Sequence, residues 1–163
     1  MTTPTDIERV SYGGPSGSLQ LGAHREIISA ATAVALTAAQ SGALCLFSQA
    51  AATTFTLPTP VEGMEFEFLT TILATGAHKV ITKTTASEFL LGAVTSGDLS
   101  GPNTDVFQAN GTSHVALTQR ASDTTTGGLV GSSFRLTAIS ATQWVVKGSI
   151  VGTATVADPF ATS

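Results

Sequence analysis

Residues 32–73 read TAVALTAAQSGALCLFSQAAATTFTLPTPVEGMEFEFLTTIL, a block that restricts the fold more than any other part of the chain. Four short runs rich in Val, Thr, Phe and Leu are cut by Ser-Gly, Leu-Pro-Thr-Pro and Glu-Gly. Such residues suit a pleated, half-buried strand, and Gly, Pro and Ser supply the turns between strands. The block's only charges are Glu62, Glu65 and Glu67. From Met64 to Phe68 apolar and acidic residues alternate, so the two-residue period of a strand sends Met64, Phe66 and Phe68 to one face and both glutamates to the other. That alternation predicts an antiparallel strand buried on one side.

The same reading extends along the chain. Pro4, Gly13, Gly14, Pro15, Gly17 and Gly22 break up residues 1–23, which have no period able to bury a face and read as an extended N-terminal arm. Residues 26–36 predict a first strand with Val34 and Leu36 on one face. A helix over 28–40 is the rival, because Ala is the best helix former, but Thr32, Val34 and Thr37 weigh against it. Short strands follow at 43–47, 53–57, 78–83 and 88–94, with Pro58 and Pro60 ending the second of them. TSGDLSGPNT at 95–104 reads as a loop. Asn110-Gly111 reads as a hairpin turn between 106–109 and 113–117. After a polar loop at 122–128 come two longer strands, 131–139 and 143–151, before a loose tail at 153–163. About ten strands at intervals of roughly 8–12 residues define an all-β fold, a single-domain antiparallel β-sandwich or jelly-roll-like barrel. The expected organisation is an arm at 1–23, a sandwich core at 24–152 and a C-terminal tail. No exact repeat is present, which disfavours a solenoid.

Charge then bears on partners. Charged residues form 11% of this 163-residue chain, against about 25% in ordinary soluble domains. Seven Lys and Arg and eleven Asp and Glu would have to solvate on the order of 7,500 Å². Part of that surface is therefore expected to be covered by other protein. A net charge of −4 with no basic cluster argues against a nucleic-acid partner, since phosphate binding needs several cations on one face. MTTPTDIERV lacks the cationic and apolar regions of a secretory signal, so synthesis and release in a host cytoplasm are expected. The Ala-rich stretch at 30–52 is too interrupted for a membrane span. Cys45, the lone cysteine between Leu44 and Leu46, reads as a small buried hydrophobe.

A search for chemistry finds no specific pattern. His24, His78 and His114 are too scattered for a metal site and read as solvated or strand-face residues. Gly14-Pro15-Ser16-Gly17-Ser18 fails the nucleophile-elbow pattern at its last position. GGLVG at 127–131 lacks the third glycine and the helix of a dinucleotide fingerprint. Glu65 and Glu67 could pair for acid–base work or hold a hard cation. The simpler reading is a charged outer face on a strand whose inner face is Phe and Met. No enzyme activity, cofactor or metal is expected.

The order of short pieces, ALTAAQSG (35–42), TFTLP (54–58), EGMEFEF (62–68), HKVIT (78–82) and QWVVKGSIVGTAT (143–155), resembles the capsid decoration, or cement, proteins of tailed bacteriophages. The resemblance implies a β-sandwich or jelly-roll subunit that forms a homotrimer, binds the major capsid protein on the outside of the mature capsid and stabilises it there. It places the capsid contact in the N-terminal arm, at Ile7, Arg9, Tyr12, Leu19 and Leu21. The alternative is a tail-fibre or host-recognition domain that binds glycans. That reading predicts an aromatic platform, whereas aromatics make up 6% of the chain and are mostly Phe. A polysaccharide depolymerase fragment would need Glu65 and Glu67 to converge on a groove.

Overall fold

The computed structural model describes residues 25–29, 31–101, 103–120, 126–153 and 156–163, with the backbone alone at 10–11 and 18–19. Fourteen strands follow in chain order: β1 Val10–Ser11, β2 Ser18–Leu19, β3 Ile27–Ser29, β4 Ala33–Ala35, β5 Leu44–Phe47, β6 Thr54–Thr56, β7 Glu65–Thr70, β8 His78–Ile81, β9 Phe89–Asp98, β10 Thr104–Asn110, β11 Ala116–Gln119, β12 Ser133–Ala138, β13 Gln143–Gly152 and β14 Phe160–Ala161. Among the described residues a 3-10 turn lies at Ala38–Gln40. Strands β10-β9-β13-β12-β7-β5-β3 form one sheet and β14-β11-β8-β6-β4 a second, while β1 and β2 pair with each other. The two larger sheets pack as a sandwich, the all-β architecture expected from the sequence.

The pairing within the sandwich is mixed. From β3 to β8 the chain alternates between sheets, so successive strands of one sheet lie side by side and run parallel: β3, β5 and β7 in the first, β4, β6 and β8 in the second. Parallel neighbours need a crossover, and here the strand in the opposite sheet is the crossover. β7 consequently runs antiparallel to β12 but parallel to β5. β9 and β13 are also parallel over their full lengths.

The core is the inward half of each alternating strand. Phe66 and Phe68 of β7, Phe134, Leu136 and Ala138 of β12, and Trp144, Val146 and Ile150 of β13 are all buried. Phe55 from the second sheet wedges between Phe47 and Phe68, with ring centroids 5.2 and 5.5 Å away in edge-on geometry, and Phe68 stacks on Phe134 at 5.2 Å. Aromatic pairs in these arrangements add to the benefit of area burial.

Four local expectations differ from the structure. Residues 26–36 form two strands in opposite sheets, because Ile28 and Val34 each face the same core from a different side. Residues 95–98 continue β9: Ser96 is buried, and β13 and β10 both pair with this end and override its weak strand propensity. Asn110-Gly111 does turn, with Gly111 at φ +75°, yet it carries the chain from one sheet to the other. Asn110 Oδ1 accepts hydrogen bonds from the N–H groups of Thr112 and Ser113 at 3.0 and 2.9 Å, which shapes a crossover where a hairpin was expected. In the tail, Phe160 is buried and β14 pairs with β11, closing the second sheet.

Candidate functional site

The broadest surface on the described residues is the outer face of the seven-stranded sheet. Cross-strand register places its side chains in rows. One row runs Gln108, Ala93, Lys147, Arg135, Glu67, Leu44, Ile27 from β10 to β3, and a neighbouring row runs Val106, Thr95, Ser149, Ser133, Leu69, Leu46, Ser29. Leu44, Leu46 and Leu69 are partly exposed on one flank, and Leu91 and Val145 on the other. Ile27 and Val106 are 62% and 59% exposed. A sheet face open to solvent normally alternates to polar residues; this one, in a mixed sheet, is aliphatic on both flanks with a strip of charge between.

The strip is an ion-pair cluster. Arg25, just before β3, donates from Nε to the Gly42 carbonyl at 2.9 Å and from its terminal nitrogens to Glu67 and to the Ala43 carbonyl, tying the start of β3 to β5 and β7. Arg135 on β12 lies 3.7 Å from Glu65 and 3.6 Å from Glu67. The hydrogen bond from Arg25 holds the Glu67 carboxyl below its usual 4.5; partial burial opposes this, and the nearby Arg135 adds to it. Both carboxylates thus lie beside guanidinium groups on a charged, partly exposed outer face, where each ion pair is screened by solvent. Lys147 is different: it is exposed, borders Arg135 across β12–β13, and makes no ion pair among the described residues. Glu67, Ser133, Phe134, Arg135, Lys147 and Gly148 line a shallow open recess there. Chemically, this surface offers a cation and hydrogen-bonding groups set within aliphatic contact area.

Gly148 lets β12 and β13 lie close beside the recess. A Cβ at this position would sit 2.3 Å from the Ser133 carbonyl oxygen and 2.4 Å from Phe134 Cα, so β12 and β13 can approach only because the side chain is absent.

The other titratable groups serve the fold. His78 lies on β8 and is fully buried, which overturns the solvated alternative; its ring stacks on Phe47 at 4.7 Å, and neither ring nitrogen has a hydrogen-bond partner among the described residues. Burial pushes its pKa below 6.5, opposed by the Gln49 backbone, which lies near the ring without meeting hydrogen-bond geometry. His114 Nδ1 accepts from the Asn110 N–H at 3.2 Å, and the ring stacks on Phe160. Cys45 is buried as expected, and burial raises its thiol to about 12. Among the described residues, no three His, Cys, Asp or Glu side chains group as metal ligands.

Of the contact residues expected in the arm, Ile7, Arg9, Tyr12 and Leu21 lie outside the described residues, as does His24. Leu19 is placed by its backbone alone, in β2 opposite Val10. Sequence reasoning found Glu65 and Glu67 but not Arg25, Arg135 or Lys147, which are brought to them by strand pairing across up to about eighty residues of chain and share no spacing that would signal it. Comparison with models of known families, with curated proteins and with solved structures finds no match.

Proposed function

We propose that this chain is a structural subunit of a tailed-phage particle, which binds the outer surface of the mature capsid and stabilises it by contact alone. The observation that carries the reading is the outer face of the seven-stranded sheet, aliphatic on both flanks around the exposed cation of Lys147. Partly exposed aliphatic surface set around polar and charged groups in this way is the composition of a protein–protein contact. The resemblance of the sequence strings to decoration proteins suggests the partner, the major capsid protein. Many equivalent copies that bury more surface on the expanded lattice than on the unexpanded one stabilise the expanded form by mass action, with no chemical step.

Two measurements test this. Quantitative gel analysis of purified particles should give on the order of hundreds of copies each, the stoichiometry of a symmetric shell. In co-sedimentation, the full chain should pellet with expanded capsids in preference to unexpanded ones, and Leu46→Glu and Lys147→Glu should each weaken that binding while melting as folded protein. Copy numbers of a few tens or fewer would place the protein in the tail instead. Undiminished binding by both variants would remove this face from the contact.

A further inference from the structure

The two larger sheets have four edges, and three are short: β3 and β4 are three residues long and β14 two. The fourth, β10, is seven residues long and, among the described residues, pairs on one side only. Its inward-pointing backbone groups are identifiable. Asn103 C=O accepts from Asp98 N–H, Gly111 N–H donates to Leu90 C=O, and Asp105 N–H donates to Ser96 Oγ. Odd-numbered residues therefore face β9, and the N–H and C=O groups of Thr104, Val106 and Gln108 point away from the sheet. Edges of this length are ordinarily blunted by Lys, Pro or a bulge. β10 contains no Lys, Arg or Pro, and its one charge is Asp105.

From this we infer that β10 is the pairing edge for a second copy of the same chain, joined antiparallel about a two-fold axis at Phe107. With Val106 opposite Gln108 of the second copy, the outward backbone groups of both strands exchange hydrogen bonds, and Thr104 comes opposite Asn110. Two observations select a second copy over an unrelated strand. Phe107 is only partly buried at the open side of the core, and the axis puts the two Phe107 side chains opposite each other in a non-hydrogen-bonded pair. That is the position where cross-strand side chains come closest, so each ring covers the other's exposed edge. In the same register Asp105 faces Ala109, which avoids the like-charge contact that would oppose self-pairing. The rows of outer-face side chains then continue from one copy into the next. The inference stands apart from the capsid reading, and its two copies differ from the three implied by the family resemblance.

Light scattering on the purified full chain tests it, with a dimer of twice 16.5 kDa expected. Val106→Pro and Gln108→Pro each delete an outward donor that makes no bond among the described residues, and Pro is tolerated on edge strands. Both should lose the dimer while keeping native far-UV circular dichroism and Trp144 fluorescence. Should either variant misfold, Phe107→Cys carries the test. Mild oxidation should cross-link it into a covalent dimer, since buried Cys45 is out of reach. A monomer or trimer at every concentration, or a dimer that survives both prolines without a Phe107→Cys cross-link, overturns the inference.

Discussion

At the scale of single residues, His78 shows what a buried base does to stability. Its ring sits against Phe47 with no carboxylate in contact, so burial alone favours the neutral form and lowers its pKa below the 6.5 of the unfolded chain. Below pH 6.5 the unfolded chain takes up a proton that the folded chain resists, which stabilises the unfolded state relative to the folded one. Stability should be full above about pH 6.5 and fall as pH drops from there towards the folded-state value. Glu67 adds a second loss at lower pH: its carboxyl is depressed by Arg25, so its contribution is present above 4.5 and disappears as pH falls through the folded value. Urea melts from pH 7.5 to 5 should show the first slope in the parent chain, and His78→Leu should flatten it. A slope unchanged in the variant would assign it to another group. Cys45 gives a parallel expectation. With its thiol pushed up to about 12 and no exposure, it should react with a thiol reagent only as fast as the protein unfolds. Rapid labelling of native protein would contradict its place in the core.

At the scale of elements, what could be read from the sequence depended on alternation. β7, β12 and β13 each carry a run in which every second residue is large and apolar, and these were legible because burial on one face enforces that period. The second half of β9 was not. Thr95-Ser96-Gly97-Asp98 has loop composition and becomes strand only because β10 and β13 flank it. The crossover at Asn110-Gly111 was misread for a related reason: the turn chemistry was visible, but nothing local says which sheet the chain enters next. The charged strip follows the same rule, its glutamates readable on one strand and its cations assembled by pairing. Gly148 is where such pairing leaves a sharp test. Because a methyl group there meets backbone atoms that cannot rotate away, Gly148→Ala should cost about 1–3 kcal/mol through overpacking. Gly131→Ala is a contrast in mechanism, since Gly131 has open space around its Cβ position and its cost would come from a φ of +94° that side chains rarely adopt. A Gly148→Ala chemical melt that matches the parent would mean that the β12–β13 approach is not what demands glycine at 148.

For the molecule as a whole, the winding of β3 to β8 between the sheets joins the two layers more tightly than hairpins within each layer would. Neither sheet can be completed without the other, because each parallel neighbour is reached through a strand of the opposite layer. Pairing of this non-local kind also has to close long loops before any contact rewards it, which places folding in the millisecond-to-second range typical of β-sandwiches. Phe55 is the side chain at which the coupling can be measured. It belongs to the smaller sheet, yet it packs edge-on against Phe47 and Phe68 of the larger one and is fully buried. Truncation to Ala leaves a cavity shared by both layers and should cost about 3–5 kcal/mol. Trp144 lies in the larger sheet, so its fluorescence reports that layer, whereas far-UV circular dichroism reports both. If the sandwich is one cooperative unit, Phe55→Ala lowers the two melting curves by the same amount and they stay superimposed. A variant in which Trp144 fluorescence keeps its parent midpoint while the dichroism melts early would show that the larger sheet stands alone, and the shared winding would then not be what holds the layers together.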